Sequence, residues 1–343
     1  MIKNKAIFTA FGLDINQCLI EKTSTGLINQ TYLVSDKVSS KRFILQQLNT
    51  VIFKNPIAIS ANIKLAAETI LATDENYPVI KINPSLNGED YFIDEDNNYW
   101  RLIDFIENTT TIDSISTVDQ AYQTAYSFGK FTSLLQNANT ENFIPSIPDF
   151  HNLDLRFEKF KTAYANDDEE RKLKAKDCID YLFSRIELLN IYHQIINDNT
   201  IPKRIIHADT KISNILFDAN SLKPKAVIDW DTIMPGYFIS DLGDMIRTMV
   251  CETGENETNL NYIIFRKDYY EAIIAGYKDA IQLTENELNL LSYAGKFMTY
   301  MQALRFLTDY LNRDIYYNIT YLEQNLDRAK NQCRLLQVLE ENT

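Results

Sequence analysis

Between Gln17 and Ile106 the apolar residues come in short runs rich in β-branched and aromatic side chains: Thr31-Tyr32-Leu33-Val34, Arg42-Phe43-Ile44-Leu45, Tyr91-Phe92-Ile93 and Tyr99-Trp100-Arg101-Leu102-Ile103. Runs of that length and composition predict strands. The polar stretches between them predict two hairpins, one turning through Asp36 to Lys41 and one through Asp94-Glu95-Asp96-Asn97-Asn98. The second turn is acid-rich, but it lacks the central Gly and closing Glu of a calcium loop. Between the hairpins, Ile57 to Leu71 carries Ile59, Ile63, Ala66, Ala67 and Ile70 at helical spacing, so one helix interrupts the strands.

After Ile106 the period changes. Val118, Ala121, Tyr122, Ala125, Phe128 and Leu135 fall on one helical face, as do Cys178, Ile179, Leu182, Phe183, Ile186 and Leu189. Polar cap positions from Asp113 to Thr117 place the change near residue 107, with Asp104-Phe105-Ile106-Glu107 as the connector. The pattern therefore predicts an α+β chain with a small β-rich part, 1–106, and a larger, mainly helical part, 107–343. One island inside the helical part reads as strand and loop: Arg204-Ile205-Ile206, Ile215-Leu216-Phe217 and Ala226-Val227-Ile228.

The island holds the candidate chemistry. His207-Ala208-Asp209 is an H-x-D loop, Asn214 follows the Asp by five residues, and fifteen residues further an apolar strand ends in Asp229-Trp230-Asp231. Amide and carboxylate oxygens at loop ends suit a hard cation such as Mg²⁺. With nine glycines and neither G-x-G-x-x-G nor G-x-x-x-x-G-K-[ST], a Rossmann fingerprint and a Walker loop are absent, and any phosphate chemistry must use another device.

Composition narrows the partners. At 343 residues the chain has room for two domains or one two-lobed unit. A net charge of −13, from 34 basic and 47 acidic residues, argues against nucleic acid as a partner. The four cysteines are isolated in sequence, which indicates free thiols rather than a disulfide framework or a zinc site. No apolar run reaches the roughly 20 residues of a membrane span, and the first residues lack a signal-peptide stretch, so a cytoplasmic protein without a membrane partner is expected.

The H-x-D-x-x-x-x-N and I-D-x-[DE] pair resembles the aminoglycoside phosphotransferase and choline kinase family, which has a bilobal protein-kinase-like fold. Within it the chain is similar to the bacterial N-acetylhexosamine 1-kinase group, through Gly26-Leu27-Ile28-Asn29-Gln30-Thr31-Tyr32, Phe43-Ile44-Leu45-Gln46, His207 to Lys211, Ile228 to Gly236 and Arg305-Phe306-Leu307-Thr308-Asp309-Tyr310. The resemblance implies an ATP- and Mg²⁺-dependent kinase that phosphorylates the anomeric hydroxyl of an N-acetylhexosamine. Alternative acceptors are an aminoglycoside, a choline-like alcohol or another small metabolite, and a nucleotide-binding pseudo-enzyme is a further reading.

It also implies roles. Asp209 would accept or orient the acceptor proton, Lys211 would meet the transferring phosphoryl group, and Asn214 and Asp229 would hold Mg²⁺. Thr23, Ser24, Thr25, Gly26, Gln46, Phe105 and Ile106 would bind the nucleotide, and Asp209, Asp231, Arg305 and Tyr316 the acceptor. His207 is expected to brace the loop. Asp241 reads as a cap of the helix from Leu242 to Val250, and the resemblance places the family's loop-bracing Asp in this region, a compatible role. One departure stands out: Gln46 occupies the strand position where the family usually has Lys or Arg, leaving phosphate charge to Lys211, Mg²⁺ and Arg42.

Overall fold

The computed structural model describes residues 4–23, 28–166 and 169–343. In chain order its helices and strands are α1 (Lys5–Ala10), β1 (Cys18–Lys22), β2 (Gln30–Asp36), β3 (Arg42–Gln47), α2 (Pro56–Thr73), β4 (Ile82–Asn83), β5 (Phe92–Ile93), β6 (Tyr99–Asp104), β7 (Thr109–Thr110), α3 (Val118–Leu134), α4 (Leu153–Asn166), α5 (Glu169–Lys174), α6 (Lys176–Phe183) and α7 (Ile186–Asn197). There follow β8 (Arg204–Ile206), β9 (Ile215–Asp218), β10 (Pro224–Val227), β11 (Met234–Gly236), α8 (Phe238–Met249), α9 (Lys267–Ala280), α10 (Glu285–Leu288), α11 (Leu291–Leu311) and α12 (Gln324–Asn342).

The chain divides into two compact units. Unit 1 comprises Met1–Thr111, Leu134–Pro148 and Ile215–Pro235, and unit 2 comprises Ile112–Ser133, Asp149–Asn214 and Gly236–Thr343. The division differs from the expected single boundary at 106/107, and long-range polar bonds supply the reason. Strand β7 pairs with β9, drawing the 215–235 segment into unit 1. Asn62 of α2 donates to the carbonyls of Ile144 (2.7 Å) and Ile233 (3.2 Å) and accepts from Ile144 N, tying both later segments to the same helix. Neither link is local in sequence.

Unit 1 is built on an antiparallel sheet in the order β1-β2-β3-β6-β4, with β5 on β6. The hairpin turns are made by aspartates, as the polar stretches imply: Asp36 accepts from Val38 N and Ser39 N, and Asp94 Oδ1 accepts from Asp96 N and Asn98 N. Strand alternation sends Tyr32 and Val34, Phe43 and Leu45, and Trp100 and Leu102 to one face, where they form a core with Ile7 and Phe8 of α1. The opposite face carries a polar row, because the register places Gln46 beside both Thr31 and Arg101. Helix α2 starts sharply: Asn55 accepts from Ala58 N and Pro56 occupies the first turn.

Unit 2 packs around α11, most of whose residues are buried, the signature of a helix surrounded by others. It contacts α8, α12 and α4. Gly243 permits the close approach of α8, since a Cβ there would lie 2.3 Å from the carbonyl oxygen of Ala294. The periodic stretch from Cys178 to Leu189 is broken into α6 and α7 at Ser184 and Arg185. Among the described residues no helix is long and apolar enough to cross a membrane.

Candidate active site

Strand β8 delivers its chain end into the H-x-D loop, and helix α8 fixes the loop from beneath. Ala208 has φ 64°, the left-handed region that a Cβ disfavours by about 1–2 kcal/mol. The Asp241 carboxylate holds it there, accepting from His207 N (2.9 Å) and Ala208 N (2.8 Å), while Thr210 Oγ1 donates to the Asp241 carbonyl (2.7 Å). Asp241 thus binds the loop rather than capping its own helix. Burial pushes its pKa up to about 7, against the two amide bonds that favour the anion, with Asp244 and Asp209 adding repulsion. His207 is fully buried, its ring edge-on to Phe128 and Phe131, and its Nδ1 accepts from Asp209 N (3.3 Å).

Three of the expected site residues meet in this loop. Asp209 Oδ2 faces Lys211 Nζ at 2.9 Å and accepts from Asn214 Nδ2 at 2.9 Å, and the same Nδ2 donates to the Asp209 carbonyl at 2.8 Å. The second carboxylate oxygen, Oδ1, has no hydrogen-bond donor among the described residues. With its N–H donors turned to Asp209, Asn214 presents its amide oxygen, which accepts no hydrogen bond among the described residues.

In unit 1, Asp229 lies two residues beyond β10, before the short helical turn Trp230–Thr232, in the left-handed conformation, φ 61° and ψ 56°. An aspartate tolerates this region better than most residues, and such conformations concentrate at functional sites. Among the described residues no three His, Cys, Asp or Glu side chains are placed to hold a metal by themselves. Asn214 in unit 2 offers an amide oxygen and Asp229 in unit 1 a carboxylate, each a donor of the kind Mg²⁺ takes alongside water and phosphate oxygens.

Asp231 has partners that the sequence did not predict. It is buried, with Oδ2 accepting from Asn29 Nδ2 (2.7 Å) and Oδ1 paired with Arg101 Nη2 (2.6 Å). Both oxygens have partners within unit 1, so Asp231 is also the counter-ion of Arg101. Arg42 pairs with Glu107 and lies over the Phe105 ring at 4.2 Å. The buried cation of the sheet is Arg101, whose Nε (2.9 Å) and Nη2 (2.7 Å) donate to Gln46 Oε1. Gln46 Nε2 in turn donates to Thr31 Oγ1 (3.2 Å). Arg101 was detectable in sequence as a cation flanked on both sides by the apolar residues of a strand, Tyr99-Trp100 and Leu102-Ile103.

Of the expected nucleotide residues, Thr23 donates to the Thr31 carbonyl, Phe105 N donates to the Arg42 carbonyl, and the Ile106 carbonyl accepts from Thr109 Oγ1. Ser24, Thr25 and Gly26 lie outside the described residues. In unit 2, Arg305 and Tyr316 line one cavity of about 480 Å³ formed by α4, α11 and the segment after α11.

A sequence profile of the phosphotransferase enzyme family matches residues 20–277, three quarters of the chain. The chain belongs to that family. Solved structures agree in fold. A microcompartment-associated aminopropanol kinase is 17% identical with a TM-score of 0.65, covering 98% of this chain and 95% of its own. A spectinomycin phosphotransferase in complex with ADP and spectinomycin is 13% identical with a TM-score of 0.65, covering 98% and 97%. An aminoglycoside phosphotransferase from Alicyclobacillus acidocaldarius is 10% identical with a TM-score of 0.67, covering 99% and 96%. This phosphotransferase-family chain thus has the α+β, protein-kinase-like fold of those enzymes.

Proposed function

We propose that this phosphotransferase moves the γ-phosphoryl group of ATP to the anomeric hydroxyl of an N-acetylhexosamine. The observation that carries the reading is the asymmetry of Asp209: Oδ2 is held by Lys211 and Asn214, and Oδ1 is left to receive a proton. The acceptor hydroxyl gives that proton to Asp209 as its oxygen bonds to the γ-phosphorus, and the bond from that phosphorus to the bridging oxygen breaks, releasing ADP. Lys211, already beside the carboxylate, supplies a cation to the phosphoryl oxygens. Asn214 and Asp229 would hold Mg²⁺, which would supply positive charge against the phosphates. Thr23, Ser24, Thr25, Gly26, Gln46, Phe105 and Ile106 serve the nucleotide. A nucleotide donor and a divalent ion accord with the related spectinomycin enzyme solved with ADP and an amicoumacin kinase solved with AMP-PNP and Ca²⁺.

The sugar assignment rests on the segments shared with N-acetylhexosamine 1-kinases and on Arg305 and Tyr316 at one cavity, where a guanidinium can pair hydroxyls and an aromatic ring can stack on a sugar. Cationic acceptors such as choline or an aminoglycoside would need free acids there. The two acids at the cavity are both committed: Glu158 pairs with Lys161, and Asp309 accepts from Tyr316 N, Tyr317 N and Asn325 Nδ2.

The test is ADP release from purified protein, ATP and MgCl₂ with N-acetylglucosamine, N-acetylgalactosamine, choline or kanamycin. Sugar-dependent release with a sugar 1-phosphate product is expected. Turnover of choline or kanamycin alone overturns the acceptor. Asp209→Asn should lower turnover about 10²–10⁴-fold while nucleotide binding persists, and a near-unchanged rate removes the base assignment.

A further inference from the structure

The unit 2 cavity carries an excess of cations that the acceptor reading leaves unexplained. Arg156 and Lys159 of α4 and Arg305 of α11 all line it. The protein has more acids than bases, 47 against 34, yet none of these three forms an ion pair among the described residues. Arg156 Nη2 donates only to the carbonyls of Asp149 (3.2 Å) and Phe150 (2.8 Å), and its Nε is buried without an acceptor. Arg305 donates to the neutral Gln302 Oε1 (3.1 Å) and lies 5.6 Å from the ring centres of both Phe150 and Tyr317. The rings fix the guanidinium plane without neutralising it.

Two guanidinium groups with no ion-pair partner among the described residues line one cavity and repel each other, with Asp149 opposing the effect on Arg156 from further away. Burial and the charge of Arg305 both lower the pKa of Arg156. Burial, together with the charges of Arg305 and Arg156, pushes His151 down to about 3, so this neighbour stays neutral and adds no further charge. An oxyanion in the cavity offsets the repulsion and suits the forked donors of both side chains.

We propose that this cavity is an oxyanion subsite, and that the acceptor is an acidic sugar carrying a carboxylate or phosphate at the end remote from its reacting hydroxyl. The proposal deepens the sugar kinase reading and, for the acceptor, rests on it. Arg156 and Arg305 bind the oxyanion from two helices, and Lys159 at the rim adds longer-range attraction.

The experiment compares kcat/KM for N-acetylglucosamine, glucuronate and N-acetylglucosamine 6-phosphate, and measures glucuronate and inorganic phosphate binding by titration calorimetry. At least a tenfold preference for an acidic sugar, expressed in KM, is expected, and the carboxylate and phosphate arms identify which oxyanion fits. Arg156→Gln should collapse the acidic-to-neutral ratio towards one. Lys159→Gln, at an exposed position, gives a partial loss and serves if the first variant does not fold. Neutral sugar turned over as well as acidic sugar, with no anion binding, overturns the subsite and leaves the kinase reading intact. Glucuronate or phosphate binding that Arg156→Gln abolishes, with no turnover of any sugar, upholds the subsite and overturns the acceptor reading.

Discussion

The buried pair of Arg101 and Asp231 offers the sharpest test of how unit 1 is held together. Their side chains are 2% and 1% exposed and 2.6 Å apart. Arg101→Met removes the guanidinium and leaves a buried carboxylate with Asn29 as its remaining polar partner. It also strands Gln46 Oε1, which accepts from Arg101 alone in strand register. Breaking such a pair from one side costs about 3–5 kcal/mol, because the survivor has lost both water and its counter-charge. At a urea dependence of about 2 kcal/mol per molar, the midpoint should fall by about 2 M. The assay is local, since the chain has two tryptophans, Trp100 and Trp230, each adjacent in sequence to a member of the pair and each buried in unit 1. Fluorescence-detected urea unfolding therefore reads this unit directly. The double variant Arg101→Met with Asp231→Leu should be more stable than Arg101→Met alone, because no orphaned charge remains. Single variants that each cost under about 1 kcal/mol, with additive effects in the double, would refute a coupled buried pair.

Two further outcomes follow from α8. Burial raises Asp241 to about 7, and an acid raised in the native state binds its proton more tightly there than in the unfolded chain; its contribution is present at low pH and fades as pH climbs from about 4 through about 7. Between about pH 5 and pH 8, wild type should lose ~3 kcal/mol more than Asp241→Asn in urea unfolding followed by far-UV circular dichroism, and parallel pH profiles would dismiss the reasoning. Gly243→Ala drives a Cβ into the backbone of α11, so a loss of about 1–3 kcal/mol is expected, and an unchanged melting temperature would show that the helices can separate freely.

The strand runs, hairpin turns and long helices were legible because each is written in local periodicity. Local spacing also exposed the H-x-D loop, with Asp209, Lys211 and Asn214 within five residues of one another. Pairings across long stretches of chain were not legible. Asn62 draws two distant segments into unit 1, and nothing near residue 62 announces partners at Ile144 and Ile233. The same holds for charges. Arg42 and Arg101 are both cations on neighbouring strands, and only the folded register shows that the first meets Glu107 while the second is enclosed with Gln46 and Asp231. The break between α6 and α7 falls inside an uninterrupted apolar rhythm, with no Gly or Pro to mark it. Arg156 was hidden for a related reason: a surface-like helical position gives no hint that its neighbours in space are another arginine and a cavity.

Ala208 carries a last consequence. A residue forced into a disfavoured backbone and pinned there by a buried carboxylate has had its geometry settled during synthesis and folding of the chain, not on arrival of a ligand. Polar groups aligned in advance need no reorientation as charge shifts, whereas free water would have to turn at each cycle. The loop's readiness is therefore a property of the apo protein, stored in one bent peptide.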